Sequence, residues 1–240
     1  MAVTGGLTGP VPELELIAFG DPSAVAERTV VFTDASLGGY SVAALDPEPL
    51  ADAGAAGAAV PSPGMCCARF HGSISIELPP NNPEVERSGF AAWRTKPPGW
   101  TLFGRAAWNC EALDFLALRV KADRSHYFVN LQTDSVVATD LYQHRLFARA
   151  PGHWETVYLP FDDFVKTHEG RALRNQEPIP KANLTTVGLG LIDRIPGPFE
   201  LRIDRIWVCP SSAGTYSCAA QTGLHAYRQP ITASRSRTNR

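Results

Sequence analysis

Two neighbouring stretches alternate apolar and polar residues with a period of two, and that period leaves an extended chain as the natural local structure. In Asp114 to Val120, Leu116, Leu118 and Val120 fall on one face and Phe115, Ala117 and Arg119 on the other. The run "HYFVNLQT" continues with Tyr127, Val129 and Leu131 against His126, Phe128 and Asn130. Ala122-Asp123-Arg124-Ser125 lies between them as a short polar turn, and the pair predicts a hairpin. Further strands are expected at "RFHGSISIEL", "SGFAAW", "LYQHRLFA", "HWETVYLP", "TVGLGLID" and "FELRIDRIWV". In the last of these, Phe199, Leu201 and Ile203 share a parity that Ile206 and Val208 reverse, which predicts a β-bulge near Arg205. One helical turn is expected, in "FDDFVKTHEG", where Asp162 and Asp163 suit a helix start and Gly170 an end. Many short strands divided by turn signals predict an all-β chain, a jelly-roll sandwich of two antiparallel sheets with at most a short helix.

A chain of 240 residues has room for one large β-domain or two small ones. The β pattern fills residues 28–209. Before it, residues 1–27 read as a docked arm whose one apolar patch is Leu14-Glu15-Leu16-Ile17-Ala18-Phe19. Within it, residues 46–66, rich in Ala, Gly and Pro, read as a low-complexity loop insertion with no face to pack. After Asp204 there is no Asp or Glu, and Arg205, Arg228, Arg235, Arg237 and Arg240 follow. Residues 210–240 therefore read as a basic, extended tail, either a solvated end or a strap for an acidic partner or anionic lipid.

Twenty-two basic and 24 acidic residues leave a net charge of −2, which argues against general affinity for nucleic acid. The five cysteines, Cys66, Cys67, Cys110, Cys209 and Cys218, are odd in number and irregularly spaced, which favours a reducing compartment over a disulfide scaffold. Cys66-Cys67 with His71 nearby lacks the second ligand pair of a structural zinc site. No segment holds the roughly 20 apolar residues of a membrane helix. The first basic residue is Arg28, so neither a secretory signal nor an Arg-rich presequence is expected in the sequence as given.

The stretch "DASLGGYS", residues 34–41, raises the question of a phosphate cradle. Such a loop must open a helix, and "YSVAALDP" after Gly38-Gly39 is too short for one. A tight turn between two strands is the better reading. Catalytic pairs are equally thin. Asp162-Asp163 suit a helix start, Glu84 and Glu86 lie in a loop beside Pro83, and Asp193 and Asp204 have no partner in the pattern, so a surface carboxylate is expected at each. The six histidines, His71, His126, His144, His153, His168 and His225, form no HExxH and no i, i+4 pair, and no GxSxG elbow occurs. Trp93, Trp100, Phe103 and Trp108 either stack on a sugar or a partner protein or belong to the core. No catalytic residue, cofactor, metal site or small-molecule substrate is expected, and the residues alone describe a β-sandwich that binds.

The order of these motifs resembles the complex I intermediate-associated protein 30 family over roughly Val30 to Val208. The most specific part runs from Tyr142 and Gln143 through Phe147 to Trp154, Pro160-Phe161 and Phe164, followed by Gly197-Pro198-Phe199 leading into Leu201, Ile203 and Ile206. Gly38-Gly39 with Ser41 is similar to the family's Gly-Gly-x-Ser. The resemblance implies a galactose-binding-like, carbohydrate-binding-module-like jelly roll. It also implies a non-enzymatic assembly factor for mitochondrial respiratory complex I, on the matrix side of the inner membrane. The implied partners are membrane-arm subunits and other assembly proteins, with peripheral contact to the membrane. The candidate contact residues are then Trp93, Trp100, Phe103, Trp108, Arg228, Arg235 and Arg237. The Ala/Gly insertion, the acid-free tail and the missing presequence depart from the family pattern. Plastid relatives carry fused nucleotide-binding domains, which this sequence lacks, so the mitochondrial branch is expected. Two alternatives stand beside it: a permanent peripheral subunit of a mitochondrial or plastid membrane complex, and a carbohydrate-binding module.

Overall fold

The computed structural model describes residues 13–50 and 66–211, apart from residues 81, 83, 84, 86, 87, 98, 102, 103, 136–138, 169 and 193. In chain order the first elements are β1 (Leu14–Ala18), α1 (Ser23–Arg28), β2 (Thr29–Thr33), β3 (Val42–Pro49), β4 (Cys66–Ile74) and β5 (Ala91–Thr95). Two short strands, β6 (Trp100–Thr101) and β7 (Gly104–Arg105), are followed by β8 (Phe115–Ala122), β9 (Tyr127–Thr133) and β10 (Asp140–Arg145). The last are β11 (Glu155–Pro160), β12 (Val165–His168), β13 (Arg171–Ala172), β14 (Leu184–Leu191) and β15 (Gly197–Cys209).

Apart from β6 and β7, which pair with each other, the strands form two antiparallel sheets. The first has the order β11-β8-β15-β4-β3, with β1 also on β15, and the second has the order β13-β12-β10-β9-β14-β5-β2. The alternation read in the sequence is the burial pattern of the sandwich: Leu116, Leu118 and Val120 from one sheet and Tyr127, Val129 and Leu131 from the other are all buried in one core. Trp93, Phe19, Phe70 and Leu189 complete its interior. Fully burying each such side chain contributes about 1.5–3 kcal/mol, which is why the apolar parity decides the face.

Several expectations change. Strands β8 and β9 are not a hairpin, because β8 pairs with β11 and β15 while β9 pairs with β10 and β14. The turn between them crosses from one sheet to the other. Its Asp123 carboxylate accepts hydrogen bonds from Ser125 N–H (2.8 Å), the Tyr127 hydroxyl (3.0 Å) and Glu200 N–H (2.8 Å), which fixes that crossing. The turn at 34–41 likewise joins the second sheet to the first, through a 3-10 turn at Asp34–Leu37. In "FDDFVKTHEG" only Phe161–Asp163 is helical, as 3-10, and Val165–His168 is strand β12, paired with β10. An α-helix stands at Ser23–Arg28, inside the segment read as an arm, where it buries Ala24 and Val25. The arm also supplies β1, which pairs with β15 and buries Leu16 and Ile17. Strand β3 runs to Pro49, four residues into the stretch read as a loop insertion, of which 51–65 lie outside the described residues. The bulge stands where parity put it: the register of β15 on β8 shifts between Ile203 and Arg205.

Candidate functional site

The loop at 34–41 holds an anion of its own. The buried Asp34 carboxylate accepts hydrogen bonds from Ser41 N–H (2.9 Å), the Ser41 hydroxyl (2.8 Å) and Gly89 N–H (2.5 Å). Gly38 takes φ +89°, and a Cβ on Gly39 would stand 2.5 Å from Asp34 Cγ. Both glycines are thus required, one for a left-handed turn and one for close approach. The backbone donors a phosphate would need are taken by the protein's own carboxylate.

The outer face of the first sheet carries a ladder of cross-strand charges. His71 on β4 meets Asp46 on β3 (2.8 Å), and Arg69 donates to Glu200 on β15 (2.7 Å). Arg202 donates to Glu48 on β3 (2.7 Å) and also pairs with Glu200. In register Arg69 stands opposite both Asp46 and Arg202, and His71 opposite Glu200, so these ion pairs run diagonally between the strands, and Arg202 reaches Glu48 across β4. Beyond the bulge, Arg119 on β8 pairs with Asp204 (3.3 Å), and the Arg205 guanidinium lies 4.1 Å from the centre of the Trp207 ring. Tyr158 meets Trp207 edge-on at 6.4 Å, and Arg119 lies over Trp154 at 5.8 Å.

A shallow depression of about 310 Å³ is bordered by Arg69, His71, Asp123, Phe199 and Glu200. Its two carboxylates are supplied with donors. Partial burial pushes the Glu200 carboxyl up, but the hydrogen bonds and charge of Arg69 and Arg202 outweigh it and hold the group below its ordinary value. A general acid needs the opposite, a carboxyl held up and protonated near neutral pH. Asp204 is pushed up by burial, against the opposing charge of Arg119 and Arg205, and it lies in an ion pair at 1% exposure. It was expected on the surface. It stands at the bulge, buried, with Arg119 on β8 as a partner that linear sequence did not reveal.

Burial raises the thiols of Cys67 and Cys110 to about 11 and that of Cys209 to about 12, which keeps them protonated and weakly nucleophilic. Among the described residues no three His, Cys, Asp or Glu side chains come together as a metal site. His144 is pushed below its ordinary value by burial, with its ring against Phe164 (5.3 Å) and Phe147 (6.2 Å).

The candidate contact residues separate. Trp93 is a core residue at 1% exposure, edge-on to Phe19 at 5.6 Å, and it presents no face to a sugar or a partner. Its parity on β5 points inward, beside Ala91 and Thr95. Trp108 is half-buried against the core and ties its segment to Leu184 through two backbone hydrogen bonds, 2.7 and 3.2 Å. Trp100 opens β6 opposite Arg105. Phe103, Arg228, Arg235 and Arg237 lie outside the described residues, as do Glu84, Glu86, Asp193 and Cys218. Of the candidates whose side chains are described, Trp93 lies in the core and Trp108 packs against it. What sequence reading missed is the charge ladder; its signal was the alternation of Glu200, Arg202 and Asp204 with apolar residues on one strand and of Arg69 and His71 on another.

Two antiparallel sheets packed face to face, with one outer face of paired charges, define an all-β sandwich. A similar solved structure is the family 11 carbohydrate-binding module from Clostridium thermocellum in complex with a β-1,3-1,4-mixed-linked tetrasaccharide. It is 11% identical, with 84% of this chain and 98% of that one aligned at a TM-score of 0.50, a likeness of fold alone. The sequence profile of the Complex I intermediate-associated protein 30 family matches residues 17–203, and the chain belongs to that family. A relative from Neurospora crassa, named "Complex I intermediate-associated protein 30, mitochondrial", is 42% identical over 213 residues, 84% of this chain and 74% of that protein. The Mus musculus protein of the same name is 28% identical over 151 residues, covering 62% of this chain and 46% of its own length. The chain therefore matches about half of the mouse relative.

Proposed function

We propose that this chain is a non-enzymatic scaffold in the assembly of mitochondrial respiratory complex I. The observation that carries the reading is the family match across residues 17–203, which spans the sandwich from β1 to β15, together with 42% identity to a relative of that name. The site chemistry agrees with it. The carboxylates of the depression are bound by their own donors, the described cysteines are buried or half-buried and unbridged, and the outer face of the first sheet is a preformed surface of fixed charges.

On this reading the chain holds membrane-arm intermediates and other assembly proteins on the matrix side of the inner membrane. The basic tail beyond Pro210 acts as a strap. A sugar-binding role fits less well, since one of its four aromatic candidates, Trp93, is core. The test is native separation of gently solubilised mitochondrial membranes, with mass spectrometry following this chain. Migration with partial complex I assemblies supports a scaffold that leaves, and migration with the finished enzyme makes it a resident subunit. Migration with neither overturns the proposal. A chain cut at Pro210 loses Arg228, Arg235, Arg237 and Arg240 and is expected to detach at lower salt than the full chain. Equal attachment of both forms across a salt series rules out the strap.

A further inference from the structure

We propose that the outer face of the second sheet is a docking surface for an acidic segment of a partner protein. This surface deepens the scaffold role proposed above and rests on it for there being a protein partner. On β9, Phe128, Asn130 and Gln132 alternate with the buried Tyr127, Val129 and Leu131, so their side chains point away from the core. One row across the sheet then reads Arg145, Phe128, Gly190, Ala92 and Phe32, on β10, β9, β14, β5 and β2 in turn. The next row reads Gln143, Asn130, Gly188, Arg94 and Val30. Gly190, Ala92 and Gly188 make a low floor between the side chains of β9 and those of β2, about 14 Å apart at three strand spacings. A Cβ on Gly188 would stand 2.1 Å from the Trp93 carbonyl oxygen, so the fold itself keeps that floor low. One end of the trough is closed where Arg94 reaches over β14 to the Gln132 side-chain carbonyl, which also accepts from the Thr186 hydroxyl (2.9 Å).

Charge names the occupant. Strands β2, β5, β9 and β14 contain no Asp or Glu. Asp140 on β10 has the parity of the buried Tyr142 and pairs with His168 (2.9 Å). Arg94 is half-buried, and its Nε is withdrawn from water without a hydrogen-bond partner. The Arg145 guanidinium lies over the Phe147 ring, 5.2 Å from its centre. Among the described residues neither guanidinium meets a carboxylate. On the first sheet, by contrast, Arg69, Arg119 and Arg202 are all answered by carboxylates of this chain. A guanidinium held out of water without a counter-charge is costly, and its planar fork matches a carboxylate. An acidic segment supplies that charge. Its apolar side chains meet Phe32, 41% exposed on one rim, and Phe147, 48% exposed beside Arg145. A lipid bilayer is flat on this scale and rests on the rims, and a neutral sugar brings no counter-charge, so the trough favours a polypeptide.

Zero-length coupling in the native complex tests the proposal. The full chain carrying Arg94→Lys, or separately Arg145→Lys, is expressed in mitochondria, and gently solubilised membranes are treated with a water-soluble carbodiimide, which joins an amine to a carboxylate in contact with it. The expected products join residue 94 and residue 145 to Asp or Glu side chains in one segment of a co-migrating protein. Coupling only to a carboxylate of this chain, or none at either position, overturns the proposal. The double variant Arg94→Gln, Arg145→Gln is expected to leave the complex at about half the ionic strength that releases the wild type, while both Lys variants hold as the wild type does. If the double variant fails to fold, coupling at the two positions decides. Release of all folded forms at the same salt overturns the proposal. So does Arg94-dependent binding of the full chain to vesicles of phosphatidylcholine with cardiolipin in place of coupling. Wild-type migration is followed alongside. A wild-type chain that runs with no complex I assembly fails the scaffold role, whereas one that does, without coupling at 94 or 145, fails this docking surface alone.

Discussion

Asp34 shows how one residue can close a motif. Its carboxylate is buried and accepts hydrogen bonds from the loop that follows it and from Gly89. Asp34→Ala leaves those donors unsatisfied, and a loss of about 2–4 kcal/mol is expected in chemical denaturation, the range for removing a charged acceptor from several buried donors. Gly39→Ala should cost a comparable amount, because the new Cβ meets the same carboxylate. His144 gives a pH signature. Its folded pKa is depressed by burial, so its contribution to stability is complete above the ordinary histidine value and is lost as pH falls through the folded value. The melting temperature is therefore expected to fall as pH drops below about 6.5, the free imidazole pKa, and His144→Gln should flatten that slope. A slope unchanged in the variant assigns the effect to another group.

At the scale of elements, the bulge of β15 is the informative one. It places Asp204 next to Arg119 at a depth where the pair is largely withdrawn from water. Arg119→Met leaves a buried carboxylate without that partner and is expected to cost about 3–5 kcal/mol, whereas the double change with Asp204→Leu should recover much of the loss. A double variant no better than the single one means the pair is not coupled. This element was legible because parity is written in the chain: Ile203 and Ile206 cannot both face inward without an extra residue between them. Strand positions were legible for the same reason. Strand partners were not. The alternation in Leu116–Val120 and Tyr127–Leu131 states which side is buried, but it is the same whether the next strand lies alongside or across the core. Helix α1 was missed because "SAVAER" is too short to show a 3.6-residue period. The charge ladder was missed because its members stand on β3, β4, β8 and β15, up to 154 residues apart for Glu48 and Arg202.

For the whole molecule, the sandwich is a frame whose first described strand is held by its last. Strand β1 pairs with β15 and buries Leu16 and Ile17, and Phe19 just after it donates its N–H to Asp204 C=O (2.9 Å). Deleting residues 1–19 is expected to remove several kcal/mol, at about 1.5–3 kcal/mol for each of these three buried side chains, and to leave an aggregating or proteolysed chain. Limited proteolysis of the deletion against the full chain reads this directly, and equal resistance would show β1 to be dispensable. The same pairing also sets a timetable. A chain delivered from its N-terminus carries β1 out early, but the strand has nowhere to dock until residues 205–208 follow. Closure of the sandwich waits on contacts nearly two hundred residues apart, a slow, non-local step. Until then the polypeptide stays loose enough to be threaded, and it locks only after almost all of the sandwich has arrived.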